Sequence, residues 1–177
     1  MIAGTKVLLG PILPNDFPSL FRWADDLEAT LLNETYRPAV WKQQEEFWFA
    51  SGKDNSRVSF AIRKLGESAI LGYIQIAAID QVHRSALVGI RIGNEHDRGQ
   101  GYGTEALRLA VDYCWNHLNL SRIGLTVFEN NDRAKRVYAA LGFETEGVIR
   151  KAVFIDGRWL DVTIMSLLHP SRLNRDA

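Results

Sequence analysis

The stretch Arg98-Gly99-Gln100-Gly101-Tyr102-Gly103-Thr104 is the most informative part of the sequence, because it joins a predicted strand to a predicted helix. Its glycines stand at alternate positions and let backbone amides approach a ligand without obstruction by a Cβ atom. The positive N-terminal end of the following helix points at the same place, so the segment predicts a cradle for phosphate groups. A P-loop would need a lysine here, and a dinucleotide fingerprint would need its third glycine one residue later. The alternative is a tight turn whose glycines serve only the backbone.

Apolar periodicity on both sides of this loop predicts the fold. Three β-prone runs precede the loop, at residues 58–63, 70–79 and 86–92. A helical stripe beginning at Leu107 follows it, and then come a strand at 123–128 and a helix over 134–141. The strands on either side of the first of these helices must be parallel, whereas the surrounding hairpins are antiparallel. The predicted class is therefore α/β, with a mixed, mostly antiparallel sheet and about four helices.

The two ends of the chain complete the pattern. The further elements are a strand at 5–9, a helix starting at Asn15 or Asp16, a helix over 42–50 and strands at 148–155 and 159–167. The last two strands flank Asp156-Gly157, the commonest tight hairpin turn. Residues from His169 onward are expected to form a polar tail. The predicted order is β-α-α-β-β-β-α-β-α-β-β.

Composition limits the classes of function. The chain has 177 residues, which is one domain, and is 46% hydrophobic and 24% charged, as globular proteins are. Lys plus Arg and Asp plus Glu number 21 each, and a formal net charge of zero disfavours a nucleic-acid partner. No apolar run reaches the ~18 residues of a membrane span and no signal peptide is recognisable, so a cytoplasmic location is expected. Cys114 is alone and the histidines are scattered, so we expect neither a disulfide nor a metal site.

Three segments resemble the GNAT acetyltransferase superfamily. Arg98, Gly101 and Gly103 fill its Gln/Arg-x-x-Gly-x-Gly/Ala signature. Residues 131–143 look like its Asn-x-x-Ala-x-x-x-Tyr-x-x-x-Gly-Phe segment. Residues 156–162 resemble the terminal hairpin of the branch that acetylates ribosomal protein N-termini and polyamines. A chance match of all three segments in order is very improbable.

The resemblance is specific over residues 85–168 and weaker before residue 56. It divides the single domain into an acceptor side at 1–55, a cofactor core with the C-terminal hairpin at 56–168, and a tail at 169–177. Within the branch, spermidine N-acetyltransferases look especially similar. That similarity is carried by short stretches at 83–86, 118–120 and 173–175. Members of this family commonly pair as dimers, so the resemblance also implies a homodimer.

The resemblance implies acetyl-CoA as co-substrate and a splayed central parallel pair whose gap admits the thioester. The implied cofactor-binding residues are Ile90, Arg91, Ile92, Arg98, Gly99, Gln100, Gly101, Tyr102, Gly103, Thr104 and Asn131. Amides of the loop would hold the pyrophosphate. The edge of strand 90–92 would pair with the pantetheine amides, much as a peptide adds to a sheet edge. For Asn131 the alternative role is the N-cap of the next helix.

The implied reaction is attack of an amine on a thioester, and the tyrosine that matches the family's general acid is Tyr138. A phenol with a pKa near ~10 is protonated at neutral pH and can donate to the leaving thiolate. Alternatively, Tyr138 is only a core residue beside Val137. Some members carry a basic glutamate on the strand before the loop, and this chain has none there. Glu34 is therefore the candidate general base, and His83 is a less favoured one.

The acceptor is expected at residues 20–50, where the family builds the acceptor wall. Three of the five tryptophans lie there, which suggests apolar walls, although core packing explains most of these rings. We therefore expect a primary amine, on a protein N-terminus or a small amino compound, with spermidine as the named alternative. An alternative of another class is a non-catalytic acyl-CoA-binding sensor. Tyr138 separates the two classes, because a protein that only binds does not require it.

Overall fold

One mixed sheet of eight strands organises the chain in the computed structural model, which describes residues 1–32, 34–49 and 55–172. The strands are β1 (Ile2–Ala3), β2 (Val7–Gly10), β3 (Val58–Lys64), β4 (Ile70–Asp80), β5 (Ser85–Ile92), β6 (Arg122–Phe128), β7 (Glu144–Ile155) and β8 (Arg158–Leu168). They lie in the order β1-β2-β3-β4-β5-β6-β8-β7. β5 and β6 are parallel, and the other neighbouring pairs are antiparallel. The predicted fold class is confirmed.

The helices follow the predicted stripes. They are α1 (Phe17–Ala24), α2 (Leu27–Thr30), α3 (Trp41–Phe49), α4 (Tyr102–Asn116) and α5 (Asp132–Ala140). The stripe beginning at Leu107 belongs to α4, which starts earlier, directly after the glycine loop. The sequence does not predict α2, because a single helical turn is too short to show an apolar stripe.

The two faces of the sheet carry different cores. On one face, α4 packs Leu107 and Ala110 against Ile74 in the main cluster. On the other face, α1 and α3 form a smaller cluster. It consists of Phe17, Leu20, Trp23, Trp48, Ala61 and Ile70, with Tyr73 packed against it. α1 and α3, most of which fall within the residues expected to form the acceptor wall, therefore cover the face opposite α4.

β5 and β6 stay together over only part of their length. Their parallel ladder has three residue pairs, Ser85↔Arg122, Ala86↔Ile123 and Leu87↔Gly124. Beyond Leu87 the rest of β5 runs apart from β6, while β6 remains paired with β8 as far as Phe128. The predicted splay of the central parallel pair is present, and it leaves one edge of β5 open.

The N-terminal segment differs from the prediction in two ways. The strand expected at 5–9 is present as β2 but starts two residues later, because residues 4–7 turn the chain back from β1, which was not predicted. Asp16 does precede α1, but its carboxylate does not cap the helix. It accepts a hydrogen bond from the Leu13 N–H (2.7 Å) and pairs with the buried Arg63 (2.5 Å). Asp16 therefore ties the start of α1 to the sheet.

His169, where the polar tail was expected to begin, is packed against the rest of the protein. The His169 N–H donates to the Ser121 carbonyl at 3.0 Å, and its ring lies edge-on to Trp115 at 5.2 Å. The stretch 173–175, and Ala50 at the end of the helix predicted over 42–50, lie outside the described residues.

Candidate active site

A cleft of about 510 Å³ opens where β5 parts from β6. Its walls come from the end of β5, the glycine loop, the start of α5 and Leu32 in the loop after α2. Every residue predicted to bind the cofactor lines this cleft except Gln100 and Tyr102, and the predicted general acid Tyr138 lines it too. The fold therefore brings together residues that the sequence separates by almost 50 positions.

The glycine loop takes a backbone conformation that other residues adopt only with strain. Gly99 and Gly101 have φ angles of 83° and 85°, in the left-handed region, where an L side chain costs roughly 1–2 kcal/mol. Gly101 is also the N-cap of α4, and it has no side chain to occupy the first helical amides. The loop and the positive N-terminal end of α4 thus line the cleft, which is an arrangement suited to binding phosphate.

Glu105 ties this loop to the N-terminal hairpin, a role that the sequence does not predict. Its carboxylate accepts hydrogen bonds from the N–H groups of Thr5 (2.7 Å), Lys6 (2.8 Å) and Val7 (2.9 Å), and from the Thr5 hydroxyl (2.6 Å). Burial acts to raise the pKa of Glu105, but these hydrogen bonds together outweigh it and lower the pKa to about 2. The Lys6 ammonium also donates to the Gln100 carbonyl at 3.1 Å. A carboxylate in a first helical turn is visible in the sequence, but its partners lie 98 to 100 residues away.

Arg98 fastens the other end of the loop to β5. Its guanidinium donates to the carbonyls of Ile92 (3.3 Å) and Gly93 (2.8 Å). The family resemblance implies only a cofactor-binding role for this residue. The structure adds a second role, since these two bonds fix the junction between strand and loop.

Tyr138 and Asn131 stand on the α5 side of the cleft. Tyr138 is buried in the main core, its ring centre lies 5.9 Å from that of Phe143, and burial raises the pKa of its hydroxyl. Asn131 is the N-cap of α5, since its Oδ1 accepts a hydrogen bond from the Ala134 N–H (3.1 Å). Its Nδ2 donates to the carbonyl of Leu32 (3.4 Å) on the opposite wall. Tyr138 is therefore part of the core and Asn131 caps α5, which are the alternative roles named for them above. Both residues also line the cleft.

A second cavity of about 490 Å³ adjoins the cleft and shares Leu32 and Arg98 with it. Its charged lining residues are Arg22, Asp26, Glu28, Glu95 and Arg98. Trp23 forms part of the wall, and a Cβ atom at Gly93 would lie 1.9 Å from its indole. Glycine at this position therefore lets the indole lie directly on the end of β5.

The two candidate bases lie outside the cleft lining. Glu34 is exposed in the loop after α2, and its charge adds to burial in raising the pKa of the Tyr73 hydroxyl. His83 lies in the turn between β4 and β5, with its Nδ1 2.9 Å from Asp80 Oδ2. Five residues of strand, about 16 Å, separate that turn from Ile90. His83 is therefore misplaced for a base, whereas Glu34 stays a prediction.

Comparisons with known proteins agree with this geometry. A family model described as an acetyltransferase (GNAT) domain matches residues 6–144. Spermidine N(1)-acetyltransferase of Vibrio cholerae is 34% identical over 131 residues, which cover 74% of this chain and 75% of that protein. The chain belongs to the GNAT acetyltransferase family.

Further GNAT relatives lie in the predicted branch. The ribosomal protein uS5-alanine N-acetyltransferase of Escherichia coli is 28% identical over 137 residues, which cover 75% of this chain and 69% of that protein. A crystal structure of spermidine N-acetyltransferase from Vibrio cholerae in complex with CoA and spermine matches with a TM-score of 0.86 and 26% identity. The match covers 95% of this chain and 98% of that one. This GNAT protein is thus an acetyl-CoA-dependent N-acetyltransferase, as predicted.

The residues of the cleft fit acetyl-CoA, the co-substrate of GNAT enzymes. The loop offers N–H groups to a pyrophosphate, and the open edge of β5 offers backbone groups to amides. Cys114 is fully buried in α4, and burial raises its pKa to about 12, so its thiol is not a ready nucleophile. Across the described ranges, no three His, Cys, Asp or Glu side chains form a group that could hold a metal ion. No helix within those ranges is long and apolar enough to cross a membrane.

Proposed function

We propose that the protein transfers the acetyl group of acetyl-CoA directly to a primary amine, on a small amino compound or a protein N-terminus. One observation carries the proposal. A single cleft holds the glycine loop at one end, the open edge of β5 along one wall, and the mostly buried Tyr138 in the other. Direct transfer needs these three parts within reach of one extended thioester.

The co-substrate is held mainly by backbone groups. N–H groups of residues 99–104 bind the pyrophosphate, and Arg98 adds positive charge at the same place. Backbone groups of Ile90, Arg91 and Ile92 pair with the pantetheine amides along the free edge of β5. Asn131 contributes its side-chain amide from the opposite wall, in addition to capping α5.

The chemistry removes two protons from the nitrogen of an ammonium group, one before attack and one after it, and delivers one proton to the thiolate. The neutral amine forms a bond to the acetyl carbon, the C–S bond breaks, and Tyr138 donates its proton to the departing sulfur and regains one from the acylated nitrogen. Burial raises the pKa of Tyr138, so the phenol remains protonated at neutral pH. Glu34 accepts the proton of the amine, which otherwise stays protonated because its pKa is near ~10.4. The electrostatic effect of Glu34 on Tyr73 supports this placement on the acceptor side.

The test is release of free CoA thiol from acetyl-CoA in the presence of amines. The panel contains amino acids, amino sugars, spermidine, spermine and short peptides with free N-termini. We expect turnover with at least one class, and a loss of 10²- to 10⁴-fold in kcat for Tyr138→Phe. Tyr113→Phe on α4, outside the cleft lining, is the matched control and should keep full activity.

Acetyl-CoA affinity separates catalysis from simple binding. Calorimetry should give similar dissociation constants for the parent protein and Tyr138→Phe, because the ring and its contact with Phe143 remain. Binding of acetyl-CoA without turnover of any amine would favour the sensor function. Unchanged turnover in Tyr138→Phe would remove the assignment of this residue as the general acid.

Spermidine is the second candidate acceptor, and the second cavity favours it. Three carboxylates, Asp26, Glu28 and Glu95, line this cavity beside the cleft, and a polyamine carries several ammonium groups that match such a wall. The relative from Vibrio cholerae that is named for this activity adds support. A kcat/KM for spermidine well above that for single amines would establish this candidate. Equal values would set it aside.

We also propose that the protein works in the cytoplasm as an assembly of at least two copies. β7 is an edge strand of twelve residues, and the hairpin it forms with β8 exposes Val148, Ile149, Phe154 and Trp159 by about half. Such edges are covered in most native proteins. A dodecameric structure of spermidine N-acetyltransferase from Vibrio cholerae resembles this chain with a TM-score of 0.80. Light scattering should give a dimer or larger for the parent protein and a smaller species for Trp159→Glu; a monomeric parent would contradict the proposal.

A further inference from the structure

Arg91 is a buried charge without a hydrogen-bond partner at two of its nitrogens. The residue is 8% exposed, and neither Nε nor Nη2 bonds to any atom in the described part of the chain. Buried charges are normally paired, because an uncompensated one is costly to keep out of water. An exception of this kind in a native fold requires an explanation.

A second buried arginine shows what a structural role looks like in this protein. Arg63 on β3 is 7% exposed, close to the value for Arg91. Its guanidinium donates to the Asp16 carboxylate (2.5 Å) and to the carbonyls of Ser68 (3.0 Å) and Pro11 (3.2 Å). The fold therefore satisfies one buried guanidinium fully and leaves the other with free donors.

The position of Arg91 connects those donors with the acceptor. Arg91 lines the cleft, and its backbone belongs to the open edge of β5. It pairs across the sheet with Tyr73, so both side chains stand on the face covered by α1 and α3. The ring of Tyr73 packs edge-on against Trp48 at 4.7 Å. The Arg91 side chain therefore lies beside Tyr73 on the face covered by α1 and α3, and the residue also lines the cleft.

No group of the described chain neutralises this charge. The Arg91 guanidinium contacts the Tyr73 hydroxyl, where its charge and a side-chain hydrogen bond oppose the rise in pKa that burial causes, but a phenol is not an anion at neutral pH. Glu34 acts on the same hydroxyl and forms no ion pair with Arg91 within 4 Å in the described residues. The charge of Arg91 is therefore left without an anionic partner among the described residues.

We propose that Arg91 binds a carboxylate on the acceptor, so that the preferred substrate is an amine that also carries a carboxylate, such as an amino acid. This inference rests on the proposed amine acetylation. Guanidinium groups bind carboxylates in a two-pronged geometry that fixes orientation, which would turn the amine toward the thioester. A polyamine has no anion to offer and would meet the positive charge unfavourably.

Pairs of acceptors that differ only in the carboxylate test the proposal. Phenylalanine is compared with phenethylamine, and lysine with 1,5-diaminopentane, by the ratio of kcat/KM within each pair. The parent protein should favour the amino acid by roughly 10- to 150-fold, the range for hydrogen bonds to a charged group. In Arg91→Met this ratio should fall to about one, whichever way the absolute rates change. A parent ratio near one, or an unchanged ratio in Arg91→Met, would overturn the proposal.

A thermal measurement separates failure of this inference from failure of the proposed function. Without ligands, Arg91→Met should melt at a higher temperature than the parent protein, because an unpaired buried charge is removed. The matched variant Arg63→Met should melt at a lower temperature, because it leaves Asp16 without its partner. N-acetylphenylalanine, the product, should raise the melting temperature of the parent protein and leave that of Arg91→Met unchanged.

These outcomes are decisive even if no amine is turned over. In that case the proposed function fails, but a product shift that depends on Arg91 still establishes a carboxylate site. Equal shifts in both proteins, no shift in either, or a lower melting temperature for Arg91→Met would show that the arginine is structural.

Discussion

Replacing Glu105 by glutamine tests whether the clamp on the glycine loop stabilises the fold. The glutamic acid has a pKa of about 2 in the folded protein against 4.5 ordinarily. A difference of this size corresponds to at most ~3 kcal/mol at neutral pH. Solvent screening at this partly exposed site reduces the expectation to about 1–2 kcal/mol. Glutamine keeps the shape but loses the charge, and its amide nitrogen cannot accept the hydrogen bonds that one carboxylate oxygen accepts, so most of this stabilisation should be lost.

The pH dependence gives the sign of the effect. A lowered pKa in the folded state means that the stabilisation is complete above pH 4.5 and disappears as the pH falls toward 2. Urea unfolding at pH 7 should therefore show the full difference between the parent protein and Glu105→Gln. The two curves should converge near pH 2–3, where the parent carboxyl group is also protonated.

A matched variant separates stability from the function of the loop. Glu146 also has a pKa of about 2, because the Arg122 guanidinium and the Ser166 hydroxyl donate to its carboxylate at the far edge of the sheet. Glu146→Gln should lose stability in the same pH window and keep its affinity for acetyl-CoA. Glu105→Gln should lose stability and should also bind acetyl-CoA more weakly. Equal stability of Glu105→Gln and the parent protein at pH 7, or a difference that persists at pH 2, would refute the reasoning.

Three further perturbations probe the cleft. Gly101→Val should weaken acetyl-CoA binding at least tenfold in calorimetry. The control Gly66→Val, at a similar φ in an open turn, should lower only the stability of the fold. Equal acetyl-CoA affinity in both variants would contradict this. Glu34→Gln should lower kcat about 100-fold or more with little change in KM, and full turnover would exclude it as the base. Asn131→Ala should lower the free energy of unfolding by ~1 kcal/mol, and Asn131→Asp, which can still cap α5, should not; equal losses would argue against the cap.

The parts of the site that could be predicted from the sequence are those encoded locally. The loop at residues 98–104 contains the glycines that set its conformation, and the helix α4 follows it directly. Both its conformation and the phosphate class of its ligand can therefore be predicted from the local sequence. The stripe of α4 and the tight turn at Asp156-Gly157 are local in the same sense. Tyr138 was found through a motif, because its position on the stripe alone indicates only core.

The remainder depends on contacts between distant segments. The four hydrogen bonds of Glu105 join residues about 100 positions apart, and no periodicity reports such a pairing. The link from Asn131 to Leu32 crosses the cleft in the same way. The missing partners of Arg91 become visible only when the burial of its side chain is known. A charged residue at the end of a strand would otherwise be assigned to the surface.

The short parallel ladder between β5 and β6 has a mechanical consequence. Three residue pairs are the whole seam between the five strands on one side and the three on the other. A co-substrate bound in the gap would add hydrogen bonds where the ladder between β5 and β6 has none. It would therefore join the two parts of the sheet more firmly. The cooperativity of unfolding should therefore rise with co-substrate concentration. Amides on both sides of the seam should slow their hydrogen exchange together when the gap is filled. The bound co-substrate would thus help to hold the central sheet of this protein together.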